Sequence, residues 1–154
     1  MLFHGEKMYW ALEIVEKIIE KYPNNERYVC AAGISPSGSA HIGNFRDVIT
    51  SEIVHRLLKA NGKKSTFIFS WDDYDRFRKV PEGVPKNFDQ YIGMPLTSVP
   101  DFKGEFSSYA KRFEFEFEEA LKLLGIHPKI IYQTDEYKSG KYDDKIRKAM
   151  VERK

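Results

Sequence analysis

Gly33-Ile34-Ser35-Pro36-Ser37-Gly38-Ser39-Ala40-His41-Ile42-Gly43-Asn44 leaves an apolar run and opens a long amphipathic segment. It reads as the end of a strand, a glycine-rich loop and the start of a helix. Such a turn presents unpaired N–H groups and the positive end of a helix dipole, which together suit a phosphate. His41 adds a hydrogen-bond donor that need not be charged. The loop lacks the GxxxxGK[ST] pattern of a P-loop, because Ser39-Ala40 follows Gly38, and it lacks GxGxxG. The stretch is therefore expected to be a nucleotide site of another kind.

Working outward, Arg27–Ile34 supplies Tyr28, Val29, Cys30, Ala31 and Ala32 between turn residues, as expected of a strand buried on both faces. Behind it, the apolar positions from Trp10 to Ile19 predict a helix over 8–21, ended by Pro23 and two asparagines. After the loop, Ile42, Phe45, Val48, Ile49, Val54 and Leu58 mark one helix face to about Ala60, with Asn61-Gly62 as its cap. Ser65–Trp71 reads as a second buried strand, giving a βαβ unit with parallel strands. Between Asp72 and Gly104 periodicity disappears among prolines and glycines, and a loop of that length tends to be functional. Glu105–Leu124 is expected to be helical, Lys129–Gln133 a third strand, and the remainder partly helical with a break at Gly140. The sum is α/β: a helix followed by βαβαβ, half of a doubly wound nucleotide-binding fold with a three-stranded parallel sheet and flanking helices.

At 154 residues the chain has room for one core, and its 42% hydrophobic and 31% charged residues are those of an ordinary globular protein. A net charge of +2 selects no partner, so any nucleic-acid role must be local. Cys30, the single cysteine, excludes an internal disulfide and a cysteine-rich zinc cluster from this chain alone, and it reads as a small core residue in a reducing cytoplasm. No run has the length of a membrane span, and residues 1–7 lack a signal peptide's plan. A cytoplasmic location with no membrane partner is the expectation.

The stretch 36–44 resembles the HIGH motif of class I aminoacyl-tRNA synthetases, with Asn44 in place of the second histidine. Together with Ser70-Trp71-Asp72-Asp73-Tyr74-Asp75-Arg76-Phe77-Arg78-Lys79-Val80-Pro81, it is similar to the archaeal-type class I lysyl-tRNA synthetases. Gly93-Met94-Pro95-Leu96, Val99-Pro100-Asp101 and Ser108-Tyr109-Ala110 continue the likeness, which runs over nearly the whole chain from Arg27.

The resemblance implies that Pro36, Ser37, Gly38, His41, Gly43 and Asn44 bind ATP, with Mg²⁺ accompanying it, and that His41 and Asn44 are catalytic, donating to the charge at the α-phosphate. Gly43 would let the base of ATP approach the backbone. Lysine would be held by Gly33, Ser35, Asp72, Asp73 and Asp75, and tRNA(Lys) would be the partner that receives it. Plain turn chemistry is the other reading of Gly33 and Ser35. The three aspartates read equally well as solvated or helix-capping residues at the start of a loop. Asp72 is the leading candidate among them. Arg76, Arg78 and Lys79, beside Trp71, Tyr74 and Phe77, suit a tRNA acceptor end, although pairing with the adjacent aspartates is the simpler expectation. The cations from Lys138 to Lys154 read as a solvated helix face.

No KMSKS loop occurs in the sequence, and no metal or zinc site is evident. Residues 1–154 are thus expected to form the N-terminal part of a catalytic domain, with an irregular insertion at about 72–104. The KMSKS half and an anticodon-binding domain would lie elsewhere. Strand 28–34 is expected to carry an open apolar edge that pairs with a missing half or another chain. Such a chain would be inactive alone. The competing readings are another nucleotidyltransferase of the HIGH superfamily and a non-catalytic paralogue that binds ATP or a partner half.

Overall fold

A computed structural model describes residues 9–153. The first seven residues, and with them the signal-peptide argument, lie outside the described residues, as does the expected first helical residue, Met8. The elements are α1 (Trp10–Lys21), β1 (Tyr28–Ile34), α2 (Ile42–Ala60), β2 (Ser65–Trp71), α3 (Tyr109–Leu123), β3 (Lys129–Tyr132), α4 (Gln133–Lys138) and α5 (Asp143–Val151). Two short 3₁₀ turns, Lys86–Tyr91 and Leu96–Ser98, lie between β2 and α3.

The sheet has the order β1-β2-β3 and is parallel throughout, with β1 at one edge. Register runs from Tyr28 opposite Ser65 to Ile34 opposite Trp71, and from Ile68 opposite Lys129 to Trp71 opposite Tyr132. Cys30, Ala32 and Ile34 therefore share a face with Phe67, Phe69 and Trp71. Val48 of α2 and Phe117 and Leu121 of α3 close over that face, while Val15 of α1 packs with Tyr28, Val54 and Leu58.

The opposite face corrects the expectation of strands buried on both sides. Val29 is 59% exposed, and Ala31 and Gly33 beside it are exposed as well. All three long helices pack on one side, so β1 alternates between covered and bare positions. A run of small apolar residues cannot show this by periodicity, because Val, Ala and Cys look alike on either side.

The segment after β2 is also more ordered than its composition suggests. Phe77, Phe88, Leu96 and Val99 form a second core with Tyr109, Ala110 and Phe113 of α3. Gly93 turns the chain at φ 96°, a left-handed value that L side chains rarely adopt. The helix expected from Glu105 begins only at Tyr109. Asp101 Oδ2 accepts hydrogen bonds from the backbone N–H groups of Glu105 (2.8 Å) and Phe106 (3.0 Å), holding those residues in a turn. Ser108 then caps α3 by accepting from Lys111 N at 3.2 Å.

Candidate active site

The loop between β1 and α2 is fixed first by its own residues. His41 is the N-cap of α2, and its Nδ1 accepts from Gly43 N at 3.1 Å. Its backbone N–H donates in return to Asn44 Oδ1 at 3.1 Å. These two bonds form a capping box in which both side chains spend an acceptor on the helix terminus. An imidazole accepting at Nδ1 carries its proton on Nε2 when neutral, and the Asn44 amide keeps both of its N–H donors. The result is a helix N-terminus with no acidic residue in its first turn and three unspent side-chain N–H donors, an arrangement suited to an anion.

Gly43 has a specific steric reason. A Cβ there would lie 2.9 Å from Cε1 and 3.0 Å from Nδ1 of His41, so the glycine makes room for the histidine ring. Gly33 is constrained differently, since a Cβ would meet the Ser70 carbonyl oxygen at 2.9 Å.

The loop is then tied to α3. Tyr109 Oη donates to the Ser37 carbonyl at 2.9 Å from a fully buried ring, and burial pushes the Tyr109 phenol up to about 12. Ser39 Oγ donates to Glu116 Oε2 at 3.3 Å. Deeper, Arg112 reaches back to the preceding segment. Its Nε and Nη2 donate to the two oxygens of Asp101 at 2.6 and 2.8 Å, and Nη2 also donates to Glu105 Oε2 at 2.7 Å. The Arg112 hydrogen bonds hold the Asp101 carboxyl well below the usual carboxylate range.

The three aspartates after β2 separate by role. Asp73 is 1% exposed, and its Oδ1 accepts from Thr134 N at 2.7 Å, which joins the end of β2 to the first turn of α4. It faces neither cavity described below, so its position is that of a scaffold residue. Asp72 and Asp75 instead line a cavity of about 550 Å³ at the carboxyl ends of β2 and β3. Partial burial, with Asp75 and Asp73 close by, raises the Asp72 carboxyl above its ordinary value. Tyr137 and Tyr142 line it too, with Tyr74 stacked on Tyr137 at 5.3 Å and Tyr142 edge-on to it at 5.1 Å. Lys145, exposed on the face of α5, also lines this cavity. Gln133, another wall residue, donates from Nε2 to Ser70 Oγ at 2.6 Å.

A second hollow of about 190 Å³ adjoins the first and shares Asp75 with it. Ser35 and Ser37 of the loop line it together with Arg76, Arg78 and Lys79. Of the residues expected from the sequence, Ser35, Ser37, Asp72 and Asp75 line these two spaces. Gly33, Pro36, Gly38, His41, Gly43 and Asn44 do not: Gly33 lies on the bare face of the sheet, and His41 and Asn44 stand at the α2 terminus. The wall formed by Tyr137, Tyr142 and Lys145 and the Asp101–Arg112 clamp are additions that sequence reading missed. Tyrosines clustered just beyond β2 and β3 were the available clue. Among the described residues, no group of three or more His, Cys, Asp or Glu is placed to hold a metal ion, and no helix is long and apolar enough to cross a membrane.

The chain is 44% identical over 150 residues to the lysine–tRNA ligase of Treponema pallidum, a match covering 96% of this chain and 28% of that protein. It is 44% identical over 146 residues to the lysine–tRNA ligase of Pyrococcus horikoshii, covering 95% and 28% respectively. The lysine–tRNA ligase of Methanosarcina barkeri is 40% identical over 150 residues, covering 97% and 27%. The chain thus spans a little over a quarter of the length of these relatives. The model of the family described as tRNA synthetases class I (K) matches residues 8–154, and the chain belongs to that family.

Proposed function

We propose that this chain forms the lysine- and ATP-binding part of a lysine–tRNA ligase. The observation that carries the reading is the cavity beyond β2 and β3, which Asp72 and Asp75 line together with Tyr74, Tyr137 and Tyr142. A lysine offers what such a space selects: an ammonium for the carboxylates and an alkyl stem for the aromatic faces. Ser35, just beyond β1, approaches the amino acid from the adjoining hollow, which shares Asp75 with the lysine cavity.

ATP is assigned to the α2 terminus. His41 Nε2–H and the Asn44 amide donate to the oxygens around the α-phosphorus, where negative charge grows as the lysine carboxylate attacks. Mg²⁺ enters with ATP as part of that substrate. The attack forms lysyl-adenylate and releases pyrophosphate, and the ribose hydroxyl at the tRNA 3′ end then displaces AMP. Positioning and charge stabilisation suffice for both steps, so the chain needs no nucleophile of its own. The free edge of β1 and the bare face around Val29 receive the rest of the catalytic unit, from the same chain or another. The work takes place in the cytoplasm, where tRNA is charged.

The test is lysine-dependent exchange of labelled pyrophosphate into ATP, with tRNA present, by the protein expressed from its own gene. Exchange stimulated by lysine and not by other amino acids is the expected result. Exchange with a different acid would move the protein to another branch of HIGH-type nucleotidyltransferases. ATP binding without exchange would make it a non-catalytic binder.

A further inference from the structure

Tyr109 opens α3 with a ring that belongs to the second core and a hydroxyl that leaves it. Its backbone N–H donates to the Val99 carbonyl at 2.8 Å. Its ring is enclosed by Phe77, Phe113 and Phe102, with centroids at 5.1, 4.9 and 6.1 Å. A ring packed on these sides keeps one rotamer, so the core and not the loop sets the direction of the hydroxyl. That hydroxyl donates to the Ser37 carbonyl, 72 residues earlier in the chain. The other tie between α3 and the loop is weaker, since Ser39 reaches Glu116 at 3.3 Å and the Glu116 side chain is 44% exposed. Among the described residues no peptide bond is cis, and a trans peptide points its N–H opposite to its carbonyl. With the Ser37 carbonyl turned to Tyr109, the Gly38 N–H faces away from α3, where it has no acceptor among the described residues. Gly38 also has no internal reason to be glycine. Its φ is not left-handed, and beyond its chain neighbours a Cβ would meet no heavy atom within 4 Å.

We infer that Tyr109 is a positioning residue for the nucleotide: its hydroxyl fixes the Ser37–Gly38 peptide so that the Gly38 N–H meets ATP. The inference rests on the lysine–tRNA ligase reading and adds to it a residue that acts only through the loop, since Tyr109 lines neither cavity. The same ring packs with Phe77 and Leu96, and Leu96 N donates to the carbonyl of Asp75, a wall residue of the lysine cavity, at 2.8 Å. One hydroxyl therefore joins the segment ordered on the amino-acid side to the backbone of the loop on the nucleotide side. A phenylalanine at 109 would keep the ring and its core contacts. It would leave the Ser37 carbonyl to water and the peptide free to turn, so the hydroxyl is needed for direction and the ring for packing.

The test compares the protein expressed from its own gene with its Tyr109→Phe variant in lysine-dependent pyrophosphate exchange. The KM for ATP is expected to rise about tenfold, the equivalent of one net hydrogen bond, while the lysine KM and kcat stay near those of the wild type. Amide hydrogen exchange supplies a readout that needs no turnover: ATP should protect residues 35–40 in the wild type and protect them less in the variant. Phe88→Leu is the control, because Phe88 packs in the same core, edge-on to Tyr91, without touching the hydroxyl. It should lower the melting temperature and leave the ATP KM unchanged. Gly38→Ala is the second variant; the fold has room for its methyl group, which would stand beside the N–H, so the ATP KM should rise with no loss of stability. An unchanged ATP KM in Tyr109→Phe or in Gly38→Ala overturns the inference. So does an equal rise in the ATP and lysine KM values of Tyr109→Phe, or a rise in Phe88→Leu as large as in Tyr109→Phe, since core stability would then govern. These results leave the ligase reading standing. A wild type without lysine-dependent exchange removes that reading, and the ATP-induced protection then decides this one; no protection in the wild type overturns both.

Discussion

The loop at residues 33–44 and the segment at 72–108 both border the proposed site, yet they are held in opposite ways. The helix-forming end of the loop is set by bonds between near neighbours, His41 with Gly43 and His41 with Asn44, and only its middle, at Ser37 and Ser39, is tied to α3. The segment is set by contacts from far along the chain, above all Arg112 gripping Asp101 from α3 and Thr134 satisfying Asp73. One region is a local motif that folds its own donors into place. The other is a small core that exists only when α3 and β3 have docked. Substitutions in the first should therefore cost chemistry more than stability, and substitutions in the second the reverse.

Arg112→Leu should break that contrast most visibly. It leaves the enclosed Asp101 carboxylate without its partner, a loss of about 3–5 kcal/mol for a buried pair. Chemical denaturation should show it, and hydrogen exchange should show residues 75–106 opening before the sheet does. His41→Ala tests the other side. Losing the cap costs about 1 kcal/mol, while removing a donor to the developing charge should slow pyrophosphate exchange by about 10²–10³-fold. Equal losses of stability and rate would erase the distinction. Asp72→Asn should raise the lysine KM by about tenfold, the loss of roughly 1.4 kcal/mol from one ion contact. Because Asp72 must be ionised to hold an ammonium, wild-type affinity for lysine should fall as pH drops through its raised pKa. The Asn variant should show a flatter profile.

The smallest effect compares two carboxylates of the distant-contact network. Asp101 has both oxygens bonded, and its depressed pKa means that its contribution is full above the unfolded value near 3.8 and lost on further acidification. Glu114 is equally enclosed, but among the described residues only Oε2 is paired, with Lys111 at 2.6 Å, and Oε1 has no hydrogen-bond partner. Burial raises its pKa, so its cost is present while it is ionised and relieved as pH falls toward that value. Glu114→Gln should match or exceed wild-type stability at neutral pH, by about 1 kcal/mol or less, with the difference shrinking in mild acid. Thermal melts across pH check both signs.

The same contrast explains what could be read in advance. Strand positions and the span of α2 follow from apolar runs bounded by turn residues, so β2 and α2 lie where the pattern puts them. The loop was legible because its chemistry is local, although a His–Asn capping box escapes a search framed around Ser or Thr with Glu. The segment after Asp72 has no period because its order comes from Phe77, Phe88, Leu96 and Val99 meeting α3. Arg112 and Glu114 were hidden for a related reason. In Lys111-Arg112-Phe113-Glu114-Phe115-Glu116 charged and aromatic residues alternate, so the helix face that turns inward is set by tertiary contacts alone. Lys145 and Tyr142 join Asp72 across about seventy residues, a proximity that parallel strands create and no local spacing records.

The strand order carries a last consequence, for synthesis. Spatial order equals chain order, β1-β2-β3, and each pairing is parallel through a crossover. Every strand therefore finds its neighbour among residues already made, and the sheet can grow as the polypeptide leaves the ribosome. The segment at 72–108 must wait until α3 has been made. During elongation β1, α2 and β2 are therefore in place before α3 closes the second core, so the nascent protein gains its sheet first and the order of the segment that follows β2 later.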